Sequence, residues 1–289
     1  MAVANITEFS NSVNPTNVVS DTSSPALVKS TCMMNLMHVE GLPVGTMTKL
    51  HPKKGSLTAA TLAESTALAV NANGELTDSS ATSTIAKCAV STGLSVEQLN
   101  FGNITPARMA DEIAAAIARF VDNDALSLFS GLSATVTAAG ILTLDDLMSA
   151  QFSIYNSECP NKEVALQGVL SQRGYMNIKK EMIQAGAAVW TNPQYLQILG
   201  GRPQPNCYVG SIPGLGDFYA TSGHATSGGD TVQGLFHPMW CFAGNFAPAP
   251  EFVVTDVGSG GLYKEIVGYY FYDVLEWNDL CGVGVLSDT

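Results

Sequence analysis

The residues of this chain best suited to chemistry are His224, Asp230 and His237. Two imidazoles with a carboxylate between them could take a metal ion or serve a hydrolase. Their setting, Ser222-Gly-His-Ala-Thr-Ser-Gly-Gly-Asp230, is rich in glycine, reads as a mobile connection, and would preorganise such a site poorly. His38 and His51 are isolated. Asp145 and Asp146 form a carboxylate pair, but a place in the first turn of a helix explains them without catalysis. Glu181 and Glu276 have no evident partners. Gly214-Leu-Gly216 lacks the third glycine of a dinucleotide fingerprint and reads as a turn between strands. Lys53-Lys54 reads as a solvated turn tip, the alternative being a contact to an acidic patch on a neighbour. There is no G-x-S-x-G elbow, no phosphate loop and no H-E-x-x-H helix. No catalytic residue, cofactor-binding residue or metal ligand is assigned, and the chain is not expected to be an enzyme.

Composition narrows the class. With 289 residues the chain can bury a sizeable core. Lys plus Arg number 13 against 25 Asp plus Glu, which excludes a protein that grips nucleic acid through clustered cations. From Gly201 onward nine acids face only Arg202 and Lys264. Only 13% of residues are charged, so much of the surface is either neutral or covered by partners. The cysteines Cys32, Cys88, Cys159, Cys207, Cys241 and Cys281 show no C-x-x-C spacing and read as buried thiols made in a reducing cytoplasm. The first residues, Met1-Ala-Val-Ala-Asn-Ile-Thr-Glu, lack a signal-peptide pattern, and no apolar run approaches the roughly 18 residues of a membrane span.

The elements that would position these residues begin with one long helix. Thr105 is a candidate N-cap and Pro106 suits the first helical position. Asp111 and Glu112 come early, Gly131 is a C-terminal stop, and Met109, Ile113, Ile117, Phe120, Val121 and Leu128 draw an apolar stripe. From Thr105 to Ser130 such a helix measures about 39 Å. An uncharged arm, residues 1–35, precedes a polar stretch from Gly41 to Lys87 with turn signals at His51-Pro-Lys-Lys-Gly55 and Asn73-Gly74. Strands around Leu68–Val70 and Ile85–Val90 are expected to flank that hairpin, which has too little apolar surface to stand alone. A second helix is capped by Thr143, with Leu144, Leu147, Met148 and Tyr155 facing inward. A strand over Val164–Leu170 leads to a third helix opened by Ser171, with Tyr175, Ile178, Met182 and Ile183 on one face and Gly186 as its stop. Further strands are predicted over 206–212, 217–221, 252–256, 266–275 and 281–286, giving an α+β class with a mixed, mostly antiparallel sheet.

This order of elements resembles the major capsid protein of tailed bacteriophages, the Hong Kong 97-type capsid fold shared with encapsulins. The resemblance rests on Ser95-Val-Glu-Gln-Leu99 before the long helix, Leu142-Thr-Leu-Asp-Asp-Leu147, the strand and helix from Val164 to Ala185, Val209-Gly-Ser-Ile-Pro-Gly-Leu215 and Gly234-Leu-Phe-His-Pro238. It implies an N-terminal arm over 1–35, an extended hairpin loop over 36–90, a peripheral domain over 91–159 carrying the spine helix 105–130, an axial domain over 160–262, and C-terminal strands over 263–289. It also implies a subunit that self-assembles as pentamers and hexamers into an icosahedral shell around phage double-stranded DNA.

Partners implied by the resemblance are many copies of the chain, a separate scaffold protein, a portal and a decoration protein. DNA would be met only by non-specific proximity, and no membrane is involved. The location implied is the virion, after assembly in the host cytoplasm. Some relatives join Lys to Asn covalently, but no partner can be placed for Lys53, Lys54 or Lys87, and no crosslink is expected. The alternatives are an encapsulin-type nanocompartment shell and, in a different class, a hydrolase or metal enzyme using His224 and His237.

Overall fold

The computed structural model describes residues 31–42, 47–53, 80–95, 97, 106–157, 159, 165–184, 207–212, 214–224, 226–257 and 263–288. The N-terminal arm up to residue 30, the hairpin tip at Asn73-Gly74, the strand expected at Leu68–Val70, the Thr105 cap, most of Ser95–Leu99 and the Gly186 stop lie outside the described residues.

One sheet is organised around the 14-residue strand β13 (Tyr263–Glu276). On one side β13 pairs antiparallel with β4 (Ala86–Ser95), from Tyr263 opposite Ser95 to Tyr272 opposite Ala86. On the other it pairs with β12 (Glu251–Val257) and then with β11 (Phe242–Phe246), and β11 pairs in parallel with β1 (His38–Gly41). A second sheet runs in the order β5 (Thr135–Thr137), β14 (Gly282–Asp288), β10 (Asp230–Phe236), β6 (Leu166–Ser171), β8 (Gly216–Thr221) and β7 (Tyr208–Ile212). Only β5–β14 and β6–β8 are parallel there, so the mixed, mostly antiparallel α+β class holds. The two sheets share one core, joined where Phe129, Phe236 and Phe242 meet with ring centroids 5.1 to 5.6 Å apart.

The long helix α1 (Pro106–Ser127) lies on β13 and β4, burying Met109, Ile113, Ile117 and Val121. Gly268 of β13 makes this close approach possible, because a Cβ there would come within 2.5 Å of Ile113 Cγ2. Three features of α1 differ from expectation. Asp111 and Glu112 fall beyond the first turn, where the helix dipole is felt weakly. Phe120 is 56% exposed, with its ring edge-on to Tyr272. The end is not a left-handed glycine cap; the last turn tightens into a 3-10 segment, Leu128–Gly131, followed by extended Leu132.

Helix α2 (Leu144–Asn156) begins with the predicted cap in full. Thr143 Oγ1 accepts from Asp146 N–H, and the Asp146 carboxylate accepts from Thr143 N–H at 2.9 Å. Glu181 does have a partner: its carboxylate accepts the Leu144 N–H at 2.8 Å. Glu181 belongs to helix α3 (Gln172–Gln184), which Ser171 opens by accepting the Gly174 N–H. The loop after β8 is more ordered than predicted. A short strand β9 (Thr226–Ser227) folds back on β10 through Gly228 and Gly229, both at positive φ. Strands β1, β10 and β11 carried no clear sequence signal. In β10 the run is interrupted by Gln233, whose polar atoms are satisfied inside by Ser171 N–H at 2.9 Å and Ser287 Oγ at 2.6 Å.

Candidate assembly interface

Within the polar stretch before α1, β2 (Thr48–Pro52) and β3 (Ser80–Thr84) pair as a two-stranded ribbon. This corrects two readings. His51 and Pro52 belong to a strand rather than a turn, and Ala86–Val90 joins β13 instead of flanking the hairpin, Ile85 alone bonding across to Met47. A lone ribbon is marginal in water, so its base needs an anchor. The alternation of strand side chains turns His51 and Ser83 inward, where both are buried with Asn245 of β11 and Asp273 of β13.

Asn245 is the hub of this anchor. Its Nδ2 lies 3.0 Å from Asp273 Oδ2 and 3.2 Å from His51 Nε2, while its Oδ1 accepts from Lys49 Nζ at 3.0 Å. Lys49 also pairs with Glu40 of β1, whose other oxygen lies 3.1 Å from His38 Nε2. The hydrogen bond from Lys49 holds the Glu40 carboxyl below its ordinary value, and burial holds the His51 imidazole below its own, so His51 stays neutral at pH 7. Trp277 Nε1 donates to Pro52 O at 3.0 Å and closes the cluster. The network ties β2 and β3 to the sheet built around β13. The sequence reading missed Glu40, Lys49, Asn245 and Asp273, because nothing local signals a contact between residues so far apart in the chain.

The second feature is apolar and faces outward. On α2, Met148, Phe152 and Tyr155 are exposed along one stripe, with Phe152 at 66%. On α3, Met176 and Ile183 are exposed, and on β2 so is Leu50. The expected Leu147 on α2 and Tyr175, Ile178 and Met182 on α3 are buried, joined by Ala150 and Ile154, whereas Met148 and Tyr155, expected inward, and Ile183, expected on the Tyr175 face, are exposed. Helical periodicity marks an apolar face without saying whether its cover is the same chain or another.

The histidines do not converge. His224 is held by its Nδ1 against Val232 O at 2.8 Å, and burial lowers its basicity. His237 is fully buried beyond the far end of β10, where its Nδ1 accepts the Met239 N–H at 3.2 Å. Val232 and His237 are about 17 Å apart along an extended chain, and Asp230 opens β10 opposite Asp288. Among the described residues no group of three or more His, Cys, Asp or Glu could hold a metal ion. Gly214 and Gly216 form the predicted turn, at φ +84° and +130°. Lys87 stacks over the Tyr269 ring, 4.1 Å from its centroid.

No family model and no curated protein sequence matches the chain. Solved structures do. A structure from Mycobacterium phage Che8 superposes with a TM-score of 0.67 at 13% identity, over 88% of this chain and 90% of that one. The mature capsid of bacteriophage PhiM1 gives 0.60 at 10% identity, over 89% and 87%. The chain has the Hong Kong 97-type capsid fold. The SrpI encapsulin of Synechococcus elongatus PCC 7942 shares it, with a TM-score of 0.57 at 8% identity over 100% of this chain and 97% of that one.

Proposed function

We propose that this chain is a major capsid protein that self-assembles, as pentamers and hexamers, into the icosahedral shell enclosing phage double-stranded DNA. The observation that carries this reading is a capsid fold with exposed apolar stripes on α2 and α3 and a ribbon anchored on the sheet around β13. Burying those stripes between copies stabilises a shell by about 25 cal/mol per Å² of apolar area. Closed symmetry then repeats each contact around the particle.

Within this reading residues 1–35 are the arm, 36–90 the extended loop, 91–159 the peripheral domain, 160–262 the axial domain, and 263–289 the returning strands. The low charge suits a subunit buried among copies of itself, and acids facing the lumen would keep packaged DNA from sticking. A separate scaffold protein, a portal and a decoration protein are its proposed partners, and it belongs in the virion after assembly in the host cytoplasm. Its role is structural, without catalysis.

Negative-stain electron microscopy of the purified chain tests this reading. Closed polyhedra, rings of five or six, or tubes are expected; a monomer or dimer that persists under crowding would overturn it. The runner-up is an encapsulin-type nanocompartment, favoured by the superposition on SrpI across the whole of this chain. Particles carrying a protein cargo and no DNA would select it.

A further inference from the structure

The sequence scatters six cysteines, but folding gathers two of them beside one carboxylate. Cys32, just before β1, has its backbone N–H bound to Asp122 Oδ1 of α1 at 2.9 Å, and the Met33 N–H donates to the same oxygen at 2.7 Å. Asp122 and Cys207 line one surface cleft of about 460 Å³, together with Arg119, Asn123 and Gln172. The thiols of Cys32 and Cys207 are hydrogen-bonded to each other. Cys32 is fully buried, whereas Cys207 is only half-buried and reaches the cleft. Cys207 also holds φ +62°, the one described non-glycine residue at positive φ, and its carbonyl is pinned by the Ala220 N–H at 2.8 Å. A bulky residue kept in that region marks a position where the surrounding structure imposes a geometry.

We propose that Cys32 and Cys207 form a thiol pair that a low-molecular-weight disulfide oxidises to an intramolecular disulfide, bolting the segment leading into β1 to the start of β7. Cys207 is the attacking sulfur. Its thiolate opens the S–S bond of the small disulfide, forming a mixed disulfide and releasing one thiolate. The Cys32 thiol then attacks the Cys207 sulfur, its proton passing to the leaving small thiolate as the mixed bond breaks. Two protein thiols are oxidised by two electrons, one small disulfide is reduced, and the two protons end on the two released thiols.

The order follows from the surroundings. The hydrogen bond from Cys32 holds the Cys207 thiol below its usual value, while that bond and burial push Cys32 up. Burial and the Asp122 carboxylate oppose the Cys207 thiolate, but the hydrogen bond outweighs both. A second contact, between Cys159 and Cys281 beside Cys241, offers an internal control: all three are buried away from any oxidant.

The pairing stands apart from the shell reading and can be tested on the full chain in any assembly state. The purified protein is incubated with oxidised glutathione at neutral pH, alkylated and mapped by mass spectrometry without reduction. The expected product has lost two hydrogens, contains a cross-linked peptide joining Cys32 and Cys207, and melts at a higher temperature than the reduced form. Cys32→Ser should trap Cys207 as a stable glutathione adduct, and Cys207→Ser should leave Cys32 unmodified. Full alkylation of Cys207 in the wild-type chain after prolonged oxidation would overturn the proposal, as would a cross-link confined to Cys159 and Cys281.

Discussion

Lys49 donates from Nζ to the Asn245 side-chain oxygen at 3.0 Å, a contact between residues 196 positions apart. It ties the ribbon to the sheet built around β13. Because Asn245 also serves Asp273 and His51, the ribbon's attachment depends on one buried carboxamide.

Replacing that carboxamide should be costly. Asn245→Ala leaves Asp273, His51 and Lys49 without their shared partner, at about 2–3 kcal/mol for the unmet groups. A thermal melt should fall by roughly 4–10 °C for a chain of this size. Lys49→Met, which keeps the stem and removes one donor, should cost less. A melt unchanged for both variants would mean that the ribbon is held by its backbone alone.

The exposed stripe on α2 should separate assembly from folding. Met148→Asp combined with Phe152→Asp alters two side chains that touch no core, so the monomer's melt should move by no more than about 1 kcal/mol in stability. Sedimentation should nonetheless show the particle peak lost or strongly reduced. Normal particles from this variant would place the subunit contact elsewhere.

Gly216 should tolerate no side chain. A Cβ there would lie 1.9 Å from Leu166 O, and φ is +130°. Gly216→Ala should therefore cost at least about 3 kcal/mol by urea denaturation, from clash and backbone strain together. Gly214, at φ +84° with open space around it, should lose about 1 kcal/mol on the same change.

Asp122 should leave a signature in the pH dependence of stability. Burial raises its carboxyl to about 6, even though it accepts two backbone N–H bonds. Its ordinary value is 3.8, so between pH 4 and 6 the folded chain holds a proton that the unfolded chain has lost. Its contribution is therefore complete below about pH 4 and fades as the pH rises through 6, by at most about 3 kcal/mol. Asp122→Asn keeps the accepting oxygen and removes the charge. Relative to wild type it should be more stable at pH 8, with the gap shrinking toward pH 4. A gap that does not vary with pH would show that Asp122 does not titrate in this range.

Local signals in the sequence decided the local structure. Thr143 with Asp146 writes a capping box that needs nothing beyond four residues, and the stripe from Met109 to Val121 needs only helical periodicity. The turn at Gly214–Gly216 is likewise set by the residue types that accept positive φ. Tertiary structure alone decided which apolar faces stay outside. Met148 and Leu147 are equally apolar neighbours, and only the position of β14 and β10 under α2 tells them apart. It alone also placed Asn245 beneath the ribbon and Cys207 beside Cys32. Such contacts follow from sheet register and chain crossing, which no window of neighbouring residues encodes.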